Sequence, residues 1–140
     1  MLLYLLTILV AIANIAYSFP YLDAQATYQY SDGEKTADLQ LHLQEYNPDN
    51  DSYYFVIKLD GIVNDSEWLR SKDFWSLDRF STYYETCAKE EVTVIAGTFL
   101  ACRFETRKKT MWFYPLPFQL VLEKSIENGK VVTRQLVDYK

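Results

Sequence analysis

Residues 90–105 read EEVTVIAGTFLACRFE, and two β-strands meeting at a glycine is the arrangement that this pattern fits. Val92 and Val94 alternate with Glu91 and Thr93, the period of two that marks a half-buried strand. Ala96-Gly97 breaks the run, and Gly97 can supply the positive φ that a tight turn or bulge needs. The run from Phe99 to Phe104 then returns and carries Cys102. The same alternation recurs upstream. Leu39, Leu41 and Leu43 share one face of residues 36–46, with Asp38, Gln40, His42 and Gln44 on a wet face opposite. Tyr53, Phe55, Ile57 and Leu59 point inward along residues 53–59. Turn chemistry separates these runs: Asp32-Gly33 and Asn128-Gly129 are the strongest hairpin signals, Asn47-Pro48-Asp49-Asn50-Asp51 cannot continue a ladder, and Asp60-Gly61 closes a strand.

Residues 62–80 fit neither period cleanly. They read as a loop with a short helical turn near Ser66–Arg70, capped by Asp65 or Ser66. A strand is expected from about Phe74, and Tyr83-Tyr84 would put one ring on each face of a strand. The whole predicts an all-β fold, an antiparallel meander of about nine strands. Such a sheet must curl into a barrel or sandwich to hide its edges.

The strand–glycine–strand segment resembles a lipoprotein-like group of exported bacterial proteins that carry a strand reading roughly E-x-V-T-V-P-A-G-T-F. Here Ile95 stands where that pattern has proline. The likeness extends to Trp112-Phe113-Tyr114-Pro115, to residues 117–122, to the Asn128-Gly129-Lys130 turn and to the opening Tyr28-Gln29-Tyr30-Ser31-Asp32-Gly33. The resemblance implies a β fold and export. The group has no agreed activity, so it implies no catalytic residue.

Residues 1–18 contain no charged side chain, and Ala16-Tyr17-Ser18 supplies the small-x-small pattern of a cleavage site. A signal peptide over 1–18 follows, leaving 19–140 as a single β-domain, periplasmic or secreted. The alternative is an uncleaved N-terminal membrane anchor, although the stretch is short for the roughly 20 residues that span a bilayer. A chain of this size buries roughly two thirds of its unfolded surface. The net charge of −5 argues against nucleic acid, whose phosphates demand a basic surface. Arg107-Lys108-Lys109 is the one basic run and reads as a solvated hairpin loop.

Cys87 and Cys102 are the only cysteines. Both fall on expected strands, and an even count in an oxidising compartment favours a disulfide over two buried free thiols. The single histidine, His42, reads as a solvated strand residue. No H-x-x-x-H, C-x-x-C or G-x-S-x-G spacing occurs, so no catalytic residue, metal site or cofactor is expected. Asp49, Asp51, Asp60, Asp65, Glu67, Asp73 and Asp78 could pair for carboxylate hydrolysis, but any acidic chain offers such pairs by chance. Residues 47–52 lack the spacing of a calcium loop. Asn50-Asp51-Ser52 and Asn64-Asp65-Ser66 match the N-glycosylation triplet at turn-rich positions where these residues occur anyway. The 12 tyrosines, 8 phenylalanines and 3 tryptophans exceed what one strand face can bury. They offer exposed rings for a glycan, hydrophobic ligand or protein partner unless loops cover them. The expected role is a non-enzymatic β-domain binding an unknown small ligand or envelope protein. A structural or assembly component of the cell envelope is the alternative, and a carboxylate-based hydrolase the third reading.

Overall fold

The computed structural model describes residues 19–140, so the signal peptide expected over 1–18 lies outside the described residues. The chain forms β1 (Gln25–Ser31), β2 (Thr36–Asn47), β3 (Ser52–Leu59), β4 (Ile62–Arg70), a 3-10 turn (Ser71–Asp73), and α1 (Leu77–Thr86). It continues as β5 (Lys89–Val94), β6 (Gly97–Glu105), β7 (Lys109–Phe113), β8 (Leu120–Glu127) and β9 (Lys130–Tyr139). The strands make one antiparallel sheet in the order β4-β3-β2-β1-β9-β8-β7-β6-β5. The first strand, β1, therefore pairs with β2 on one side and with the last strand, β9, on the other, and two meanders grow outward from that central pair.

Of the barrel and sandwich alternatives, the closed barrel is corrected: among the described residues β4 and β5 are the two edges of the sheet. Closure is only local. The N–H of Ala96 donates to the Leu136 carbonyl at 3.0 Å, and that of Ile95 to the Gln135 side chain at 3.2 Å. The β5–β6 tip thus folds back onto β9 across the intervening strands. The other edge is blunted by charge, with Asp65 and Glu67 exposed on β4.

Hairpin turns follow local chemistry. Asn128 and Gly129 take φ 51° and 75°, and Asp60 and Gly61 take 49° and 79°, the pair of left-handed residues that two-residue type I′ turns require. Asp32 closes β1–β2 differently. Its carboxylate accepts the N–H groups of Glu34 at 2.9 Å and Lys35 at 2.7 Å, and Gly33 takes φ 90°. Gly97 is not a central turn residue. It opens β6 opposite Val94, and its φ of 141° follows the Ile95-Ala96 turn rather than lying within it.

Two apolar clusters fill the fold. One gathers Ala26, Tyr28, Val94, Phe99, Ala101, Trp112, Leu116, Val121, Leu122 and Leu136. The other joins Phe19, Ala24, Leu43, Tyr53 and Phe74. Phe118 packs against both, its ring 5.0 Å from Phe19 and 5.7 Å from Phe55. Phe118 and Gln119 hold φ values of 63° and 58°, costly for such residues; the ring contacts and the Gln119 bond to the Trp75 carbonyl at 2.9 Å offset that cost.

Residues 62–86 depart from expectation. In place of a loop and a strand from Phe74, residues 62–70 are edge strand β4 and residues 77–86 are a helix. Both faces of β4 are solvated except at Leu69, so no burial pattern marks it. The helix starts at Ser76, whose side chain accepts the Arg79 N–H at 3.4 Å, an N-cap contact. Phe80, Tyr83 and Tyr84 stand at i, i+3 and i+4. Tyr83-Tyr84 therefore lie on a helix, and Cys87 caps its C-terminus rather than ending a strand. On β3 the inward set also shifts: Val56 is buried at 2% while Leu59 is 42% exposed.

Candidate functional site

Of the two readings of the aromatics, the structure favours covered rings, most of which pack on one another. Trp75 meets Phe80 at 4.9 Å and Phe113 at 5.7 Å, Tyr84 meets Tyr114 at 5.9 Å, and Phe19 meets Phe74 at 5.6 Å. The pair Tyr54–Trp68, centroids 5.3 Å apart, remains on the β4 edge, with Trp68 47% exposed.

The polar groups that do converge lie on β7, β8 and β9. Directly paired residues of antiparallel strands share a face. The register sets Lys109 and Val132 beside Ser125, and Met111 and Arg134 beside Glu123. Glu123 and Ser125 alternate with Lys124 on β8, so this face carries a carboxylate and a hydroxyl where an apolar sheet would carry two aliphatics. Both are about nine-tenths buried. Glu123 is satisfied: its carboxylate accepts from the Arg134 guanidinium at 3.0 Å, and that guanidinium stacks 5.7 Å above the Tyr30 ring. Ser125 is not. Its Oγ is buried without a hydrogen-bond partner among the described residues, a state that costs about 1–3 kcal/mol.

Above this face the 106–109 loop turns sharply. The Thr106 N–H donates to the Lys109 carbonyl at 2.8 Å, and the Ile126 N–H donates to the Lys108 carbonyl at 3.1 Å. Loop and sheet enclose an open cleft of about 520 Å³ lined by Thr106, Arg107, Lys108, Lys109, Glu123, Ser125, Ile126, Glu127 and Arg134. Arg107-Lys108-Lys109 is the exposed β6–β7 hairpin that the sequence predicts, and it also forms one wall of this cleft. Among the described residues, no ion pair engages these three cations. Sequence reasoning passed over Ser125, Glu123 and Arg134. The available signal was Val121-x-Glu123-x-Ser125, polar residues continuing an inward apolar alternation.

A second polar cluster ties residues 21–23 to Lys140 and to β2. His42 Nε2 lies 2.6 Å from the Asp23 carboxylate, Lys140 Nζ lies 2.8 Å from it, and the Tyr21 hydroxyl donates to the Lys140 carbonyl at 2.7 Å. The Lys140 and His42 bonds hold the Asp23 carboxyl far below its usual range. His42 is thus a paired, mostly covered residue and not a solvated one. The pair joins β2 to the segment that precedes β1.

Cys87 and Cys102 are disulfide-bonded, with Cα atoms 5.6 Å apart. Three of the carboxylates singled out above make separate local bonds: Asp51 accepts from Tyr46 and Ser71, each at 2.8 Å, Asp60 from the Asp38 N–H at 2.8 Å, and Asp65 from the Ser66 N–H at 2.8 Å. The side chain of Asp78 lies outside the described residues. No group of three metal-ligating side chains occurs among the described residues, and no helix there is long and apolar enough to cross a membrane. Comparison of the chain with protein-family models, with curated proteins and with solved structures finds no match.

Proposed function

We propose that this chain is an exported, non-enzymatic β-domain, periplasmic or secreted, that binds a small ligand in the cleft beneath the 106–109 loop. The observation that carries the reading is Ser125, a buried hydroxyl without a partner at the wall of a cleft of about 520 Å³. Native folds rarely leave such a group unpaired, and the volume falls within the range of small-molecule sites, about 300–1,000 Å³. The disulfide supports export, since such bonds persist in oxidising compartments. A thermal-shift screen of metabolites against the purified protein, followed by hydrogen exchange on the hits, tests the reading. Stabilising compounds protect the amides of residues 106–109 and 124–127; hits that protect only β4 contradict it.

The β4 edge favours a second reading, an envelope component that pairs with another protein. Its outer edge is free, and Ile62 and Val63 are 74% and 56% exposed. Val63→Lys abolishes co-purification of that partner if this reading holds and leaves it unchanged if it does not.

A further inference from the structure

We infer that the cleft takes a small molecule bearing a tetrahedral oxyanion, a phosphate or sulfate ester, an inference that rests on the ligand-binding reading above. The chain is acidic overall, with a net charge of −5, yet four cationic side chains and only two carboxylates line this cleft. One carboxylate, Glu123, is already neutralised by Arg134 at 3.0 Å. Arg107, Lys108 and Lys109 are the cations left for a ligand, and a local positive field on an acidic protein concentrates anions there. Guanidinium and ammonium groups donate to oxyanions in strong, charge-assisted bonds, and arginine does so in a bidentate fork.

Ser125 supplies the missing element. A hydroxyl can donate to an oxyanion at no electrostatic cost, and this one has no hydrogen-bond partner among the described residues. Its Oγ is shut from bulk water between its strand neighbours Lys109 and Val132, so a ligand reaches it as the side chains that cover it move aside. The neighbouring surface suits the organic part of an ester. Ile126 and Val131, each 62% exposed, flank the loop on β8 and β9 and line its second side.

Amide chemical-shift titration of the purified protein with phenyl phosphate, phenyl sulfate and benzyl alcohol tests the inference. The two esters give saturable shifts at Lys108, Lys109, Ser125 and Ile126, and neutral benzyl alcohol binds about tenfold more weakly or not at all. A preference for the phosphate at pH 8 that disappears at pH 5 identifies a dianion, because the second phosphate ionisation lies near 6; equal binding of both esters at both pH values identifies a monoanion site. Ser125→Ala weakens ester binding about tenfold while raising the melting temperature, since it removes an unpaired buried hydroxyl. Arg107→Ala, on the exposed loop, weakens the esters and flattens their salt dependence. Benzyl alcohol binding as tightly as the esters would overturn the oxyanion while leaving the cleft a binding site. Unchanged ester affinity in both variants, or no saturable shift with any of the three compounds, also overturns it. The metabolite screen, whose hits need carry no charge, judges the ligand-binding reading separately.

Discussion

Reducing the Cys87–Cys102 bond removes a cross-link between the C-terminal cap of α1 and the middle of β6. The bridged residues are 15 apart, and loop-closure entropy for a loop of that length is worth about 3 kcal/mol in the unfolded chain. The native state keeps other attachments for the helix. Phe80 is fully buried, the Tyr84 hydroxyl donates to the Leu100 carbonyl at 2.7 Å, and Gln119 holds the Trp75 carbonyl. Neither apolar cluster depends on Cys87, so the reduced chain should still fold. With a urea dependence of about 1.5–2 kcal/mol per molar for a chain of this size, the loss lowers the unfolding midpoint by about 1.5–2 M. Urea titration followed by tryptophan fluorescence, with and without reductant, measures the shift. A change below about 0.5 M would refute the cross-link argument. A reduced chain with no cooperative transition would refute the claim that the two cores suffice. Two thiols that alkylate readily in denatured, unreduced protein would remove the bridge altogether.

Gly97→Val forces a β-branched residue to φ 141° and should cost about 1 kcal/mol or more by urea denaturation; no change would mean that β6 opens in ordinary extended backbone. Tyr28→Phe removes the hydroxyl that donates to the Leu120 carbonyl at 2.8 Å and should cost about 1–2 kcal/mol in the same assay. Burial also raises the Tyr28 pKa above its usual 10.0. The neutral phenol therefore contributes stability that is complete below pH 10 and is lost as pH rises beyond it, so alkaline unfolding of the wild type should be steeper than that of Tyr28→Phe. Asp23 has the opposite sign. Its carboxyl is held low by Lys140 and His42, so its contribution is present above pH 3.8 and fades as pH falls below that value; Asp23→Asn should flatten the acid limb of a melting-temperature profile, modestly because the group is exposed.

Strands with one covered face were legible from alternation, and so were the Asn128-Gly129 and Asp60-Gly61 turns, because both signals are local. Strand β4 was not, since an edge strand wetted on both faces has no burial period to display. The helix hid for another reason. Leu77-Asp-Arg-Phe-Ser-Thr-Tyr-Tyr is rich in residues that also suit strands, and only the Ser76 cap and the Phe80, Tyr83, Tyr84 spacing distinguish it. The cleft was half legible. Arg107-Lys108-Lys109 stood out as the one basic run, but its partner residues on β8 and β9 reach it only through strand register. An unpaired hydroxyl at Ser125 is a property of the packed structure and has no sequence signature.

The claim that the cleft beneath the 106–109 loop is the seat of function is tested most directly by native mass spectrometry of the protein recovered from its native cells. The account predicts a small-molecule adduct of constant mass on the wild type, lost in Ser125→Ala and in Arg107→Ala and retained in Trp68→Ala, which alters only the β4 edge. Bare protein in every sample, or an adduct that survives both cleft variants and disappears with Trp68→Ala, would contradict it.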